Sequence, residues 1–267
     1  MDKPLNRLQR GFYRDGPSHR DGADVSFADI HKFFGFRSIT IGKWVTVEEQ
    51  KLAANLFFDA LCDLAEILHV PYITLGLNQS LALAFGSGGR KGVSAHYTPV
   101  KRELALAKNA GAGSLAHEWF HAFDHYIAPK MFAVEQAGTF ASALSLTANK
   151  LKQHPLNQRL LDTLNTILLS PIEGGLNPLM ARSVVCDKAC KSIYFSLPQE
   201  VCARAFEAMV QDQSIKNHFL VSGTKQSQWA KKGLYPLGNQ RLAINQSFLT
   251  YFTQLGQAIA YKQDRPS

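Results

Sequence analysis

The sequence has no uninterrupted apolar run near the roughly 18 residues that a membrane-crossing helix needs. Its opening, MDKPLNRLQRGFYRDG, also lacks the continuous apolar stretch of a secretory signal. Both absences predict a cytoplasmic protein with no membrane partner. Cysteine is scarce too: Cys62, Cys186, Cys190 and Cys202 are the four in 267 residues. That is too few to staple a chain of this length, so free thiols in a reducing compartment are expected. Acid is in deficit, with 21 Asp and Glu against 29 Lys and Arg, and the resulting net charge of +8 favours nucleic acid or an acidic partner. The basic residues are scattered, with loose groups at Arg7 to Arg20 and Lys225 to Arg241, and neither group resembles a nucleic-acid module. A nucleic-acid surface and a solvated basic face therefore both stay open.

What remains is the composition of an ordinary globular chain, 46% hydrophobic and 19% charged, long enough to bury one large core. Residues 1–28 are rich in Arg, Gly, Asp and Ser and read as an irregular N-terminal arm; residues 29–267 read as one domain. FRSITIGKWV has the β-branched and aromatic content of a strand. Thr46 and Glu49 form a capping-box pair opening a long helix that Pro71 closes. YITLGLNQSLALAF reads as strand, and Gly86, Gly88 and Gly89 as a loop. GVSAHY and RELALAK then make a hairpin around Pro99. Gly111 and Gly113 break that strand, and Ser114 is placed as the N-cap of SLAHEWFHAFDHYI. Beyond residue 135 the pattern is helical: GTFASALSLTANKLKQ, LNQRLLDTLNTILL after Pro155, then the loop PIEGGLNP. A further helix, SLPQEVCARAFEAMV, is opened by a Ser196 and Gln199 capping box, and a last one lies near INQSFLTYFTQLGQAIAY. The whole predicts an α+β fold: a small sheet, one motif-bearing helix and a mainly helical C-terminal lobe.

The motif is His117-Glu118-Trp119-Phe120-His121, an HExxH. Residues four apart on a helix differ by only about 40° and rise about 6 Å, so two imidazoles can converge on one Zn2+ ion. Glu118 lies beside the first histidine, where its carboxylate can act as general base toward water. The competing reading is a core helix whose histidines merely face inward. His125 continues the ladder but sits about 12 Å from His117 on a straight helix, too far to share the ion. The metzincin pattern is absent, since Asp124 and Ile127 stand where its glycine and third histidine would be. Asp124 and His125 are then ligand supports, substrate contacts or helix surface. A third ligand must come from elsewhere. Glu200, in the first turn of a capped helix, is preferred over Glu207, two turns along. Tyr194 is placed either to donate a hydrogen bond to an oxyanion or to fill the core. Cys186, Cys190 and Cys202 form a weaker, structural-zinc alternative, because the x3 spacing of the first two is not that of a zinc knuckle.

FGFRSITIGKWV, LALAFGSGG, SAHY, LALAKNAGAGSLAHEWFHAFDHY and SLPQEVCARAFEAMV together resemble the zincin-type domain of large polyvalent proteins of bacterial mobile elements. They are also similar to bacterial proteins labelled CLCA-like, after the metallohydrolase domain of calcium-activated chloride-channel regulators. The resemblance covers roughly residues 29–250. EVCARAF further resembles the glutamate-bearing helix of anthrax-lethal-factor-like peptidases, departing from it at Cys202 and Arg204. These resemblances imply a zincin-like, gluzincin-type fold, Glu200 as third zinc ligand and Tyr194 as the nearby phenol. They also imply a peptidase that hydrolyses peptide bonds of a protein or peptide substrate with metal-activated water. Two alternatives keep the fold: a nucleic-acid-associated protein of mobile elements, and a non-catalytic interaction module.

Overall fold

In the computed structural model the described residues are 8, 11–87, 95–107, 113–133, 138–147, 149–170 and 177–263. The chain is α+β, with one four-stranded mixed sheet and otherwise mostly helix among the described residues. It divides into two units, Met1–Ala122 with Gln213–Ser222, and Phe123–Asp212 with Gly223–Ser267. Among the described residues no helix is long and apolar enough to cross a membrane.

The first unit opens with residues 11–26, which contain no helix and only an isolated bridge, Arg14 to Asn217. This arm is nevertheless tied down. Arg14 and His19 both reach the fully buried Asp63, which also accepts from Asn217, and Arg20 pairs with Asp59. Helix α1 (Phe27–Phe34) follows a Ser26 and Asp29 capping box, and β1 is Ser38–Ile41. Helix α2 (Val47–Leu68) starts at the expected box, with Thr46 and Glu49 satisfying each other's N–H groups. Its inner face carries Phe57, which packs with Phe27, Phe85 and Phe219 to form the aromatic core.

The stretch after Pro71 departs from expectation. Tyr72–Gly76 is a 3-10 turn rather than strand, followed by Leu77, Asn78 and Gln79 in the left-handed region. Close approach explains it: a Cβ on Gly76 would lie 2.1 Å from the carbonyl oxygen of Gly35, a contact no extended side-chain-bearing strand could make. Strand β2 (Ala82–Phe85) begins only beyond it, and β3 (Ala95–Thr98) and β4 (Glu103–Leu106) form the expected hairpin. Gly88, Gly89, Gly111 and the loop at 171–176 lie outside the described residues.

The strand order is β1-β2-β4-β3, parallel except for the antiparallel β3 at one edge. The carbonyls of Arg102 and Leu106 accept from β2 and the residue after it. Leu104, in phase with them, therefore also faces β2, and Tyr97 opposite it turns its N–H outward from the sheet. Helix α3 (Leu115–Met131) follows, and the boundary between the units falls within it.

The second unit is helical. α5 (Pro155–Leu168), α7 (Pro198–Asp212) and α9 (Gly238–Gln263) pack on one another, joined by α4 (Ala141–Leu144), α6 (Pro178–Cys190) and α8 (Gln228–Lys231). Phe206, Phe248, Phe252 and Phe123 form its core. The helix expected over 138–153 shrinks to α4. The hydroxyls of Ser145 and Thr147 take the carbonyls of Ser142 and Leu144, and such side-chain bonds compete with a continuing helix. Helix α6 was not expected at all, although Asn177 caps it with Pro178 in its first turn.

Candidate metal centre

The start of α3 is set by the backbone rather than by the expected cap. The Ser114 hydroxyl makes no hydrogen bond; Gly113 and Ala116 instead donate their N–H groups to Phe219 and Leu220. Gly113 has φ +95°, and a Cβ there would fall 2.6 Å from the Ser222 nitrogen, so only glycine lets these segments meet. One turn on, Trp119 is buried and donates its indole N–H to the Leu75 carbonyl at 3.1 Å. With Trp119 anchored, the rotation of α3 is fixed, and His117 and His121 share another face.

Those two imidazoles are 8% and 7% exposed, with ring planes at 78° and Nε2 atoms 3.0 Å apart. Glu200, in the first turn of α7, is also buried. His117, His121 and Glu200 each offer one ligand atom, and the three atoms lie within 4.8 Å of one another. Two nitrogens bound to one zinc at about 2.05 Å and the tetrahedral angle stand about 3.3 Å apart. The donor set therefore fits the ion in type and number, and the two imidazole nitrogens fit it in spacing. Two buried imidazoles and a carboxylate are a combination that catalytic zinc accepts while leaving one position open.

Glu118, half-buried, points its carboxylate at the sheet. Oε2 accepts the outward N–H of Tyr97 at 2.7 Å, which holds the acid at the open edge of β3. Burial pushes the Tyr97 phenol up to about 12. Asp124 is not helix surface. It is 1% exposed and accepts from both the N–H and the hydroxyl of Ser142, at 2.8 and 2.5 Å, so it fastens α3 to the first turn of α4. His125 is buried with its ring 5.7 Å from Phe140.

On the far side of the sequence, α7 begins at Pro198, and the Ser196 and Gln199 box is displaced. The Ser196 hydroxyl and N–H both donate to Asp187 of α6, as do the N–H groups of Tyr194 and Phe195. Burial pushes the Asp187 carboxyl up, but these four hydrogen bonds outweigh it and hold the carboxyl below its ordinary range. Arg204, one turn after Glu200 and fully buried, donates to the carbonyls of Phe195 and Leu234. Asp187 and Arg204 thus fix the segment leading into Glu200 from both ends. Neither was singled out from sequence; the Asn-Pro pair opening α6 was the available signal for the first.

Tyr194 lies in that segment, 37% exposed, its ring edge-on to Phe195. Glu207 is buried and accepts from the Tyr235 phenol at 3.3 Å, a bond that, after burial, helps raise the phenol strongly. Among the described residues the metal-competent group contains neither Glu207 nor His125, and no cysteine. Cys202 is fully buried in α7, and Cys186 and Cys190 line a separate cavity on α6.

The protein is thus an α+β chain in which an HExxH helix and a glutamate from a later helix bring three metal-competent side chains together. Residues 186–259 match the model of a family described as large polyvalent protein-associated domain 1, a stretch that includes Glu200 but not the histidines. No curated protein and no solved structure matches the chain.

Proposed function

We propose that this protein is a zinc-dependent peptidase of gluzincin type, in which His117, His121 and Glu200 hold the ion. The observation that carries the reading is the gathering of these three buried ligand atoms within 4.8 Å, with Glu118, a carboxylate that a purely structural site would not need, next to His117 in the helix. When bound, zinc supplies Lewis acidity toward a carbonyl and toward water. The chain supplies the rest. Glu118 takes a proton from the attacking water and delivers it to the leaving amine, a role that needs a carboxylate held in place, as the Tyr97 N–H holds this one. Edge strand β3, whose outward Tyr97 N–H is taken by Glu118, is the sheet edge beside which an extended peptide would lie. Tyr194 is proposed as hydrogen-bond donor to the oxyanion. The match to a polyvalent-protein-associated domain supports a place in the multidomain proteins of bacterial mobile elements that the sequence resembles.

The test is metal content. The purified chain should hold about one zinc, His117→Ala and His121→Ala should lose it, and Glu200→Ala should bind it far more weakly. Full zinc retention in both histidine variants would sink the assignment.

A further inference from the structure

Helix α6 carries a second reactive constellation, independent of the zinc reading. Cys186 and Cys190 stand one turn apart on one face and line a cavity of about 420 Å³ with Arg182, Val185 and Lys232. Cys186 is buried and Cys190, the last residue of the helix, is exposed. Positions four apart on a helix have Cα atoms about 6 Å apart, inside the range a disulfide can bridge. Helix ends yield readily, so the position of Cys190 makes closure cheaper than in a helix interior. The lining contains no acid and two bases, which suits a small anionic partner. The other two thiols differ sharply. Cys62 is buried and pushed up to about 12, by burial first and then by Asp59 and Asp63; Cys202 is fully buried and pushed well up by burial and then by Asp124. Neither offers a thiolate to solvent.

We propose that Cys190 and Cys186 form a thiol-disulfide exchange site for a small anionic disulfide of the glutathione kind. The Cys190 thiolate attacks one sulfur of the disulfide, whose S–S bond breaks and expels one thiolate. Cys186 then loses its proton and attacks the Cys190 sulfur of the mixed disulfide, expelling the second thiolate. Two protein thiols are oxidised to one disulfide, and one small disulfide is reduced to two thiols. Burial and the hydrogen bond to Cys190 keep the Cys186 proton in place until that second step.

The experiment is incubation of the full chain with glutathione disulfide, followed by intact mass and peptide mapping. The wild type should lose two hydrogens, release two glutathiones per chain and carry a Cys186–Cys190 link. Cys186→Ser should stop at a single glutathionyl adduct on Cys190, and Cys190→Ser should not react. Lys232→Gln should slow the reaction several-fold at low salt with glutathione disulfide but not with the neutral hydroxyethyl disulfide. Reaction of Cys190→Ser at the wild-type rate, or a wild type that stops at the mixed disulfide, overturns the proposal. Near-ultraviolet circular dichroism of each serine variant separates these outcomes from misfolding.

Discussion

Replacing Glu118 by Gln probes the proposed general base and its tether together. A hydrogen bond to an ionised acceptor contributes about 1.5–3 kcal/mol net, and one to a neutral acceptor about 0.5–1.5. Exchanging the carboxylate at 2.7 Å from the Tyr97 nitrogen for an amide therefore costs about 1–1.5 kcal/mol. Partial exposure of Glu118 screens this toward about 1 kcal/mol, a small part of the roughly 5–15 kcal/mol that holds a domain folded. The variant should fold, keep its zinc, and show roughly fivefold faster hydrogen exchange at the Tyr97 amide. Hydrolysis of an unfolded protein such as casein should fall by about 10²–10⁴-fold, because the amide accepts no proton from water. Urea denaturation, metal analysis, amide exchange and the casein assay read the four quantities separately. Two results refute the reasoning. Hydrolysis at the wild-type rate removes Glu118 as base, and loss of zinc or of more than about 4 kcal/mol makes it a structural residue instead.

Asp63→Ala leaves the partly exposed Arg14 guanidinium only the Gly16 and Pro17 carbonyls and removes the acceptor for His19 and the buried Asn217 amide, so it should cost about 1–3 kcal/mol in urea denaturation; a loss below about 0.5 kcal/mol would show the arm to be loosely held. Acid should also destabilise the second unit. Burial pushes Asp212 up, but bonds from Arg241, Lys225 and Asn245 outweigh it and hold it well below the ordinary range, and Asp187 is lowered as well. Folded values below unfolded ones give stability that is present above the unfolded value near about pH 4 and is lost progressively as pH falls from there through the folded values. A urea midpoint that stays constant from neutral pH to about pH 3 would contradict this.

Sequence and structure agree where the determinants are local. The Thr46 and Glu49 box, the β3–β4 hairpin and the one-face spacing of His117 and His121 depend on neighbours a few residues away. Ligand counting and resemblance both point to Glu200, and its ligand atom lies near those of the two histidines. Two of the misses come from competition by groups outside the helix concerned. Ser114 and Ser196 look like caps, yet Leu220, far along the chain, accepts the Ala116 N–H, and Asp187, on the preceding helix, takes the Ser196 hydroxyl. Helix α6 escaped notice because the residues it buries include Ser183, Cys186 and Asp187, so no apolar stripe marks it.

The contact between Glu118 and Tyr97 also bears on solubility. An edge strand with a free outward N–H is a template on which a strand of another molecule can dock, and natural sheets blunt such edges with charge. Here the blunting group comes from a helix and not from the strand itself, and it is the same carboxylate assigned to proton transfer. Truncating that side chain to a methyl group would therefore strip the guard from β3 as well as the proposed base from the site. The two losses look alike in an activity assay, since chains that stick together through their edges also stop turning over substrate.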